Sequence, residues 1–246
     1  MSKNIFFESK GPFKLDVLFP SNSTSNLKVN DIKTLDEAGK LDLTFFDSLN
    51  YKNLAEKTKA GSCITRENLK RYLPKTCEAI VVKSVLFELA KVTSKFYPNA
   101  DLDYPDNSLK KPNKSKFPGV KFGNNVLIGK NVKIGKSSIV GSNTIIEKNV
   151  LIGDSCTIGS QIMIKNTVVG NNVVIQDGAK IGLKGFGFIP LKGKNLRFPH
   201  VGKVILEDNV EIGASCTIDR GSIGNTVIGK NTFLDNQVHM AHNVKV

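Results

Sequence analysis

The stretch VLIGKNVKIGKSSIVGSNTIIEKNVLIGDSCTIG, Val126 to Gly159, decides the fold. An aliphatic residue recurs in it at every sixth position, namely Ile128, Ile134, Val140, Ile146, Ile152 and Ile158. The comb reaches back to Phe122 and on to Ile164, and resumes at Ile175 and Ile181. It returns at Leu206, Ile212 and Ile218, and again at Ile228, Leu234, Met240 and Val246. Two places before each tooth the residue is often small or β-branched, as at Val132, Ser138, Thr144, Cys156 and Cys216. A glycine often follows the tooth, as in Ile128-Gly129 and Ile152-Gly153. A period of six fits neither the 3.6 of a helix nor the 2 of a strand. It describes a short strand, a corner and another short strand with one face always inward, which is the hexapeptide pattern of a parallel β-helix. Three hexads close a triangular coil, so residues about 18 apart stack on neighbouring coils.

Composition is consistent with this reading and limits the alternatives. The 246 residues are 40% hydrophobic with 21 glycines, enough chain for one or two domains with a real core. No run approaches the roughly 18 apolar residues of a spanning helix. The segment Met1–Glu8 meets an acidic residue early and does not read as a secretory leader. Four cysteines (Cys63, Cys77, Cys156, Cys216) lack CxxC spacing, and two occupy small inward slots of the comb, where a thiol acts as a small apolar group. A reduced, cytoplasmic protein is expected. The net charge of +13 suits an acidic partner or solvated lysine faces equally well. Nucleic acid is not expected, because the basic residues are not interleaved with aromatics and tryptophan is absent.

Three regions separate along the chain. Residues 1–98 mix periods and read as a small α/β domain. Within it a helix is predicted over 84–97, capped by Ser84, buried through Leu86, Leu89, Ala90, Thr93 and Phe96, and ended by Pro98. Residues 99–119 carry Pro105, Pro112 and Pro118 with few aliphatics and read as a linker. Residues 120–246 form the β-helix, interrupted by an unpatterned loop over 183–203. A loop of that length in a regular solenoid points to function. Its Phe186, Phe188 and Phe198 cannot enter the coil core and suggest a wall for an apolar ligand, or packing on a neighbouring subunit. The sequence stops on a tooth of the comb, Val246, without a terminal cap, so a fragment or a partnered end is expected.

Only three histidines are present, His200, His239 and His242. Met240 is the inward tooth, so His239 should face outward from a flat side and His242 should project from a corner. A corner imidazole suits general base work because its unperturbed pKa lies near working pH. Asp235 is a candidate to orient it. Zinc is the rival reading, but His-x-x-His on a flat face aims its rings apart. A serine or cysteine nucleophile has no motif, and Gly185-Phe186-Gly187 lacks the rest of a phosphate loop.

Four stretches resemble the UDP-3-O-(3-hydroxyacyl)glucosamine N-acyltransferase family of lipid A biosynthesis: GFGF (Gly185–Phe188) with FPHVG (Phe198–Gly202), VEIGASCTIDRG (Val210–Gly221), LDNQVHMAHNV (Leu234–Val244) and, near the start, FFDSLNY (Phe45–Tyr51). The resemblance implies a left-handed coil, a homotrimer, an N-terminal uridine-binding domain and no cofactor or metal. It places His242 as catalytic base, and Phe45 and Tyr51 around the uracil. Ser48 stands where the family usually has Asn, and His239 where it usually has Gln. A histidine there is typical of the sister O-acyltransferase, which acts on UDP-N-acetylglucosamine and lacks the N-terminal domain. The implied reaction moves a 3-hydroxyacyl chain from acyl carrier protein to the 2-amine of UDP-3-O-acylglucosamine, with Phe186, Phe188 and Phe198 lining the acyl groove. Because the family's chain continues for further coils, little activity is expected from these 246 residues alone. Other readings are a sugar N-acyltransferase using acetyl-CoA, a zinc-dependent hexapeptide carbonic anhydrase and a non-enzymatic scaffold.

Overall fold

The computed structural model describes residues 4–23, 25–100 and 105–246, which divide into two compact units. Among the described residues, one contains residues 7–23, 25–100 and 187–199, and the other residues 4–6, 105–186 and 200–246.

The second unit is a left-handed β-helix built from three parallel sheets, one per face of a triangular prism. One face stacks Lys121–Phe122, Ile139–Val140, Thr157–Ile158, Val174–Ile175, Glu211–Ile212 and Phe233–Leu234 in parallel register. Each strand is a pair of residues in which the second points inward, so Val140, Ile158, Ile175 and Ile212 are buried to 1% exposure or less. Burial of each such side chain is worth roughly 1.5–3 kcal/mol. Backbone amides of one coil bond to carbonyls of the next, as in Ile139 N–H to Cys156 O at 2.8 Å. Small polar side chains two places before the tooth close the corners from inside: Thr144 donates to Gly159 O at 2.8 Å and Ser138 to Gly153 O at 3.1 Å.

The corners obey one rule. Among the described residues, every non-glycine with positive φ lies three places before an inward tooth, and its φ falls between 48° and 64°. Asparagine dominates these sites because its short side chain tolerates the left-handed region better than other L-residues. The amides also stack: Asn125 Nδ2 reaches Asn143 Oδ1 at 3.2 Å, and Asn209 Nδ2 reaches Asn231 Oδ1 at 3.1 Å.

Two departures from the six-residue rule shape the upper coils. Ile152 stacks on Val169, one residue short of the regular repeat, with the corner at Asn166. The comb read from sequence passes over Val169, because a single deletion moves it out of phase. Higher up, Leu206 stacks on Ile228, four residues beyond the regular repeat, with the extra residues at the corner after Arg220. The segment following Pro105 is tied to the lower coils. Asp106 accepts from the Lys148 amide at 2.7 Å and from the Ser108 hydroxyl at 2.6 Å, and Lys110 pairs with Ile128 through two backbone bonds. Burial alone would raise the Asp106 carboxyl, but these hydrogen bonds outweigh it and hold the group below its usual value.

The other unit centres on a four-stranded parallel sheet, Asp31–Ile32, Asp42–Phe46, Ser62–Thr65 and Glu78–Val81. Helix Val85–Phe96 packs on it, with the Ser84 hydroxyl accepting from the Phe87 amide at 3.4 Å as the cap. Its buried stripe is Val85, Leu89, Ala90, Val92, Thr93 and Phe96. Leu86, expected inside, is 47% exposed. Val85 takes the inward place in that first turn at 0% exposure, and Leu86 is turned about 100° from it around the helix. Residues Phe188–Leu191 and Lys194–Arg197 form an antiparallel hairpin. Among the described residues no helix is long and apolar enough to cross a membrane.

Two outcomes test this account. Asn143→Val should lower stability by about 1–2 kcal/mol and Asn143→Gly by less than about 1 kcal/mol, read from urea midpoints. Burial raises the thiols of Cys63 and Cys77, the latter to about 12. Both should therefore resist a thiol reagent at pH 8 and react only as the α/β unit unfolds.

Candidate active site

The corner that carries His242 is assembled by four segments of the coil unit: the end of strand Lys180–Lys184 with Gly185, the returning residue His200, strand Thr217–Arg220, and the turn after His239–Met240. Arg220 fixes two of them. Its guanidinium is 1% exposed and donates to His200 O at 3.0 Å and Gly182 O at 3.2 Å. These carbonyls stand on either side of the 183–199 excursion, so one buried cation clasps the departure and the return of the chain. Charge-assisted bonds of this kind are shorter and stronger than neutral ones.

His242 lies where the comb places it, on a corner and half-buried. Its Nδ1 is 2.9 Å from Asn243 Oδ1. The same oxygen accepts from the Ser222 amide at 2.9 Å and the Ser222 hydroxyl at 2.8 Å. A backbone N–H can only donate, so this atom of Asn243 is the carbonyl oxygen, and Nδ1 of neutral His242 must carry the proton. The lone pair is therefore on Nε2. Asn243 is held in turn by its own amide, which donates to Thr226 Oγ1 at 2.9 Å. The imidazole is delivered in the tautomer a general base requires.

His200 packs edge-to-face on His242, with ring centroids 4.8 Å apart at an interplanar angle of 74°, and is 2% exposed. Gly185 fills the remaining side so closely that an added Cβ would sit 2.8 Å from His200 Nε2 and 2.8 Å from His242 Cβ and Cδ2.

His239 projects outward from the flat face, as expected from its place before Met240. Its Nδ1 is 2.8 Å from Thr217 Oγ1, and its Nε2 is 3.9 Å from Asp219 Oδ2. Asp219 is 7% exposed, and burial lifts its carboxyl above the usual value against the pull of His239, His242 and Arg220. Asp235, the sequence candidate for orienting an imidazole, instead lines a shallow recess with Gln176, Glu211 and Phe233. The atom that orients His242 belongs to Asn243. His200 and Asp219 were not singled out from sequence, although both stand inside the FPHVG and TIDRG stretches.

The remaining candidates lie elsewhere. Phe45 is half-buried on strand Asp42–Phe46, Ser48 accepts from the Asn50 amide at 3.3 Å as the cap of a short 3-10 turn, and Tyr51 at the end of that turn is 56% exposed. Phe186, on the coil unit, is 77% exposed. Phe188 on the hairpin is 43% exposed, and Phe198 just after it is half-buried.

The hexapeptide coil and the relatives it matches make this chain an acyltransferase of the hexapeptide-repeat class. Residues 26–94 match the family model described as UDP-3-O-(3-hydroxymyristoyl) glucosamine N-acyltransferase, LpxD. The chain is 38% identical over 248 residues to a UDP-3-O-acylglucosamine N-acyltransferase of Caulobacter vibrioides, covering 98% of this chain and 73% of that protein. Proteins of the same name from Azorhizobium caulinodans and Bradyrhizobium diazoefficiens are 37% and 36% identical over 262 and 227 residues. These matches cover 100% and 89% of this chain, and 73% and 64% of those proteins. The chain belongs to the UDP-3-O-acylglucosamine N-acyltransferase family.

Gly185→Ala tests the packing of the His242 ring. The new methyl must displace the His242 ring, and a shift of about 1 Å in a catalytic group costs on the order of 100-fold in rate. The expected result is that loss in kcat with a much smaller change in thermal midpoint. Unchanged kcat would show that Gly185 does not set the ring's position.

Proposed function

We propose that the protein transfers a 3-hydroxyacyl chain from the thioester of acyl carrier protein to the 2-amine of UDP-3-O-acylglucosamine, with His242 as general base. The observation that supports this best is the Ser222–Asn243–His242 hydrogen-bond chain, which leaves Nε2 as the proton-accepting atom at an accessible corner. The amine nitrogen attacks the thioester carbon while Nε2 takes a proton from it. Collapse of the tetrahedral adduct breaks the C–S bond, and the imidazolium returns that proton to the departing sulfur. Asn243 keeps the ring in one tautomer throughout and stabilises the imidazolium through the Nδ1–H bond.

Phe45 and Tyr51 are the proposed contacts to the uracil ring, with Ser48 beside them. Tyr51 offers an exposed aromatic face suited to stacking. Phe186, Phe188 and Phe198 are the proposed contacts to the acyl chain, and the exposure of Phe186 supports an apolar ligand there. His239 is proposed as a contact to the glucosamine unit. The net charge of +13 suits an acidic carrier protein. The proposed working unit is a cytoplasmic homotrimer. Outward, half-buried Leu151, Val168, Ile205 and Val227 along one face supply apolar surface for a neighbouring subunit.

The reading is tested by incubating the full-length gene product with a 3-hydroxyacyl-carrier-protein thioester and UDP-3-O-acylglucosamine, with the product followed by mass spectrometry. An amide-linked second acyl chain is expected. His242→Gln should lower the rate by a factor of about 100 to 10,000. Absence of amide product from the wild type refutes the reaction, and full turnover by His242→Gln removes His242 as the base. A preference for a coenzyme A thioester would reassign the donor.

A further inference from the structure

The proton balance of amine acylation requires a group that His242 does not supply. Amino groups titrate at about 7.7–8.0 for an α-amino group and higher for a simple alkyl amine, so an amine acceptor reaches the site largely as ammonium at pH 7. Converting ammonium and thioester to amide and thiol takes two protons from nitrogen and returns one to sulfur. His242 carries the proton that moves from nitrogen to sulfur and ends neutral. One proton is left over, and it must leave before attack, because ammonium has no lone pair. A hydroxyl acceptor would leave none.

The coil unit holds a second titratable pair beside His242 that the mechanism above does not use. Thr217 and Asp219 point to the same side of their strand, and His239 stands on the neighbouring strand opposite Thr217. His239 Nδ1 is tethered to the Thr217 hydroxyl at 2.8 Å, which aims Nε2 at Asp219 Oδ2, 3.9 Å away. That separation is an ion-pair distance, too long for a hydrogen bond in the resting protein. His239 has 60% of its side chain exposed, whereas Asp219 has 10%, so the ring links a shielded carboxylate to solvent.

We propose that His239 and Asp219 together form the proton sink that converts the bound acceptor ammonium into the nucleophilic amine. His239 Nε2 takes the ammonium proton, Asp219 stabilises the resulting imidazolium, and the exposed ring edge releases the proton to water. The inference rests on the N-acylation reading above.

The surrounding groups fit this role. Arg220, the next residue after Asp219, is turned inward onto the His200 and Gly182 carbonyls. Lys180, on the adjacent strand opposite Thr217, donates to Gln161 O at 2.6 Å, and Lys184 lies opposite Arg220. His242 interacts with Asp219 electrostatically from the corner. Burial raises the Asp219 carboxyl above its usual value against the pull of His239, His242 and Arg220, so it holds a nearby proton better than a solvated carboxylate does.

The test is the pH dependence of kcat/KM for amide formation in wild type, Asp219→Asn and His239→Gln. Both replacements keep side-chain size. The ratio of kcat/KM at pH 6.5 to that at pH 9 should fall at least 10-fold in each variant relative to wild type, because free amine then comes only from solution. Amide formation with an unaltered pH ratio in both variants overturns this inference alone. No amide from wild type overturns the N-acylation reading and this inference with it.

Discussion

The structure depends on one backbone constraint, a left-handed residue placed three positions before most inward side chains, the corners ahead of Leu206 and Ile228 being the exceptions. Such a residue turns the chain between faces without breaking the amide-to-carbonyl bonds that join one coil to the next. Asparagine, serine and glutamine accept that conformation at these positions, and Gly119 and Gly178 supply it where the comb uses glycine. The constraint is local, yet it sets the register of all three sheets. Inward teeth stack where successive corners turn alike, and Leu206 and Ile228 keep the stack although their corners are built differently. The apolar interior then follows from burial of Val140, Ile146, Ile164 and their equivalents.

The candidate site uses departures from that regularity. Where the chain leaves the coil after Lys184 and re-enters near His200, Arg220 holds both edges by their carbonyls. His200 is brought against His242, and Gly185 leaves room for that ring and for nothing larger than hydrogen. One coil higher, the extra residues after Arg220 bring Ser222 to Asn243, and through Asn243 the protonation pattern of His242 is set. The electrostatics of the corner are therefore arranged by backbone amides and carbonyls, which keep their charge state at every pH, together with one buried carboxyl that does not.

Much of this was legible in the sequence, and the limits have physical causes. The comb reveals the coil because six-residue spacing is enforced by geometry at each corner. It also places His239 on a face and His242 at a vertex, since both are counted from Met240. It passes over Val169, where a five-residue hexad breaks the phase although the corner at Asn166 is intact. Asp219 and His200 escape the pattern because their importance comes from segments brought together across the 183–199 excursion, which no periodicity describes. Asp235 looked like a partner for an imidazole only because it is nearby in sequence. Leu86 looked buried because spacing alone leaves open whether Val85 or Leu86 takes the inward place in the first turn, and Val85 does.

The stacked asparagines carry a final consequence. Since each rung bonds only to the rungs above and below, extra or missing residues at a vertex leave every other rung untouched. The short hexad at Asn166, the long excursion after Lys184 and the added residues after Arg220 are all of this kind. A solenoid with such vertices can grow a new binding wall or a new polar network by insertion without re-optimising its interior. Chemistry in this architecture is thus modular at its edges, and specificity can change through vertex grafts while the prism stays the same.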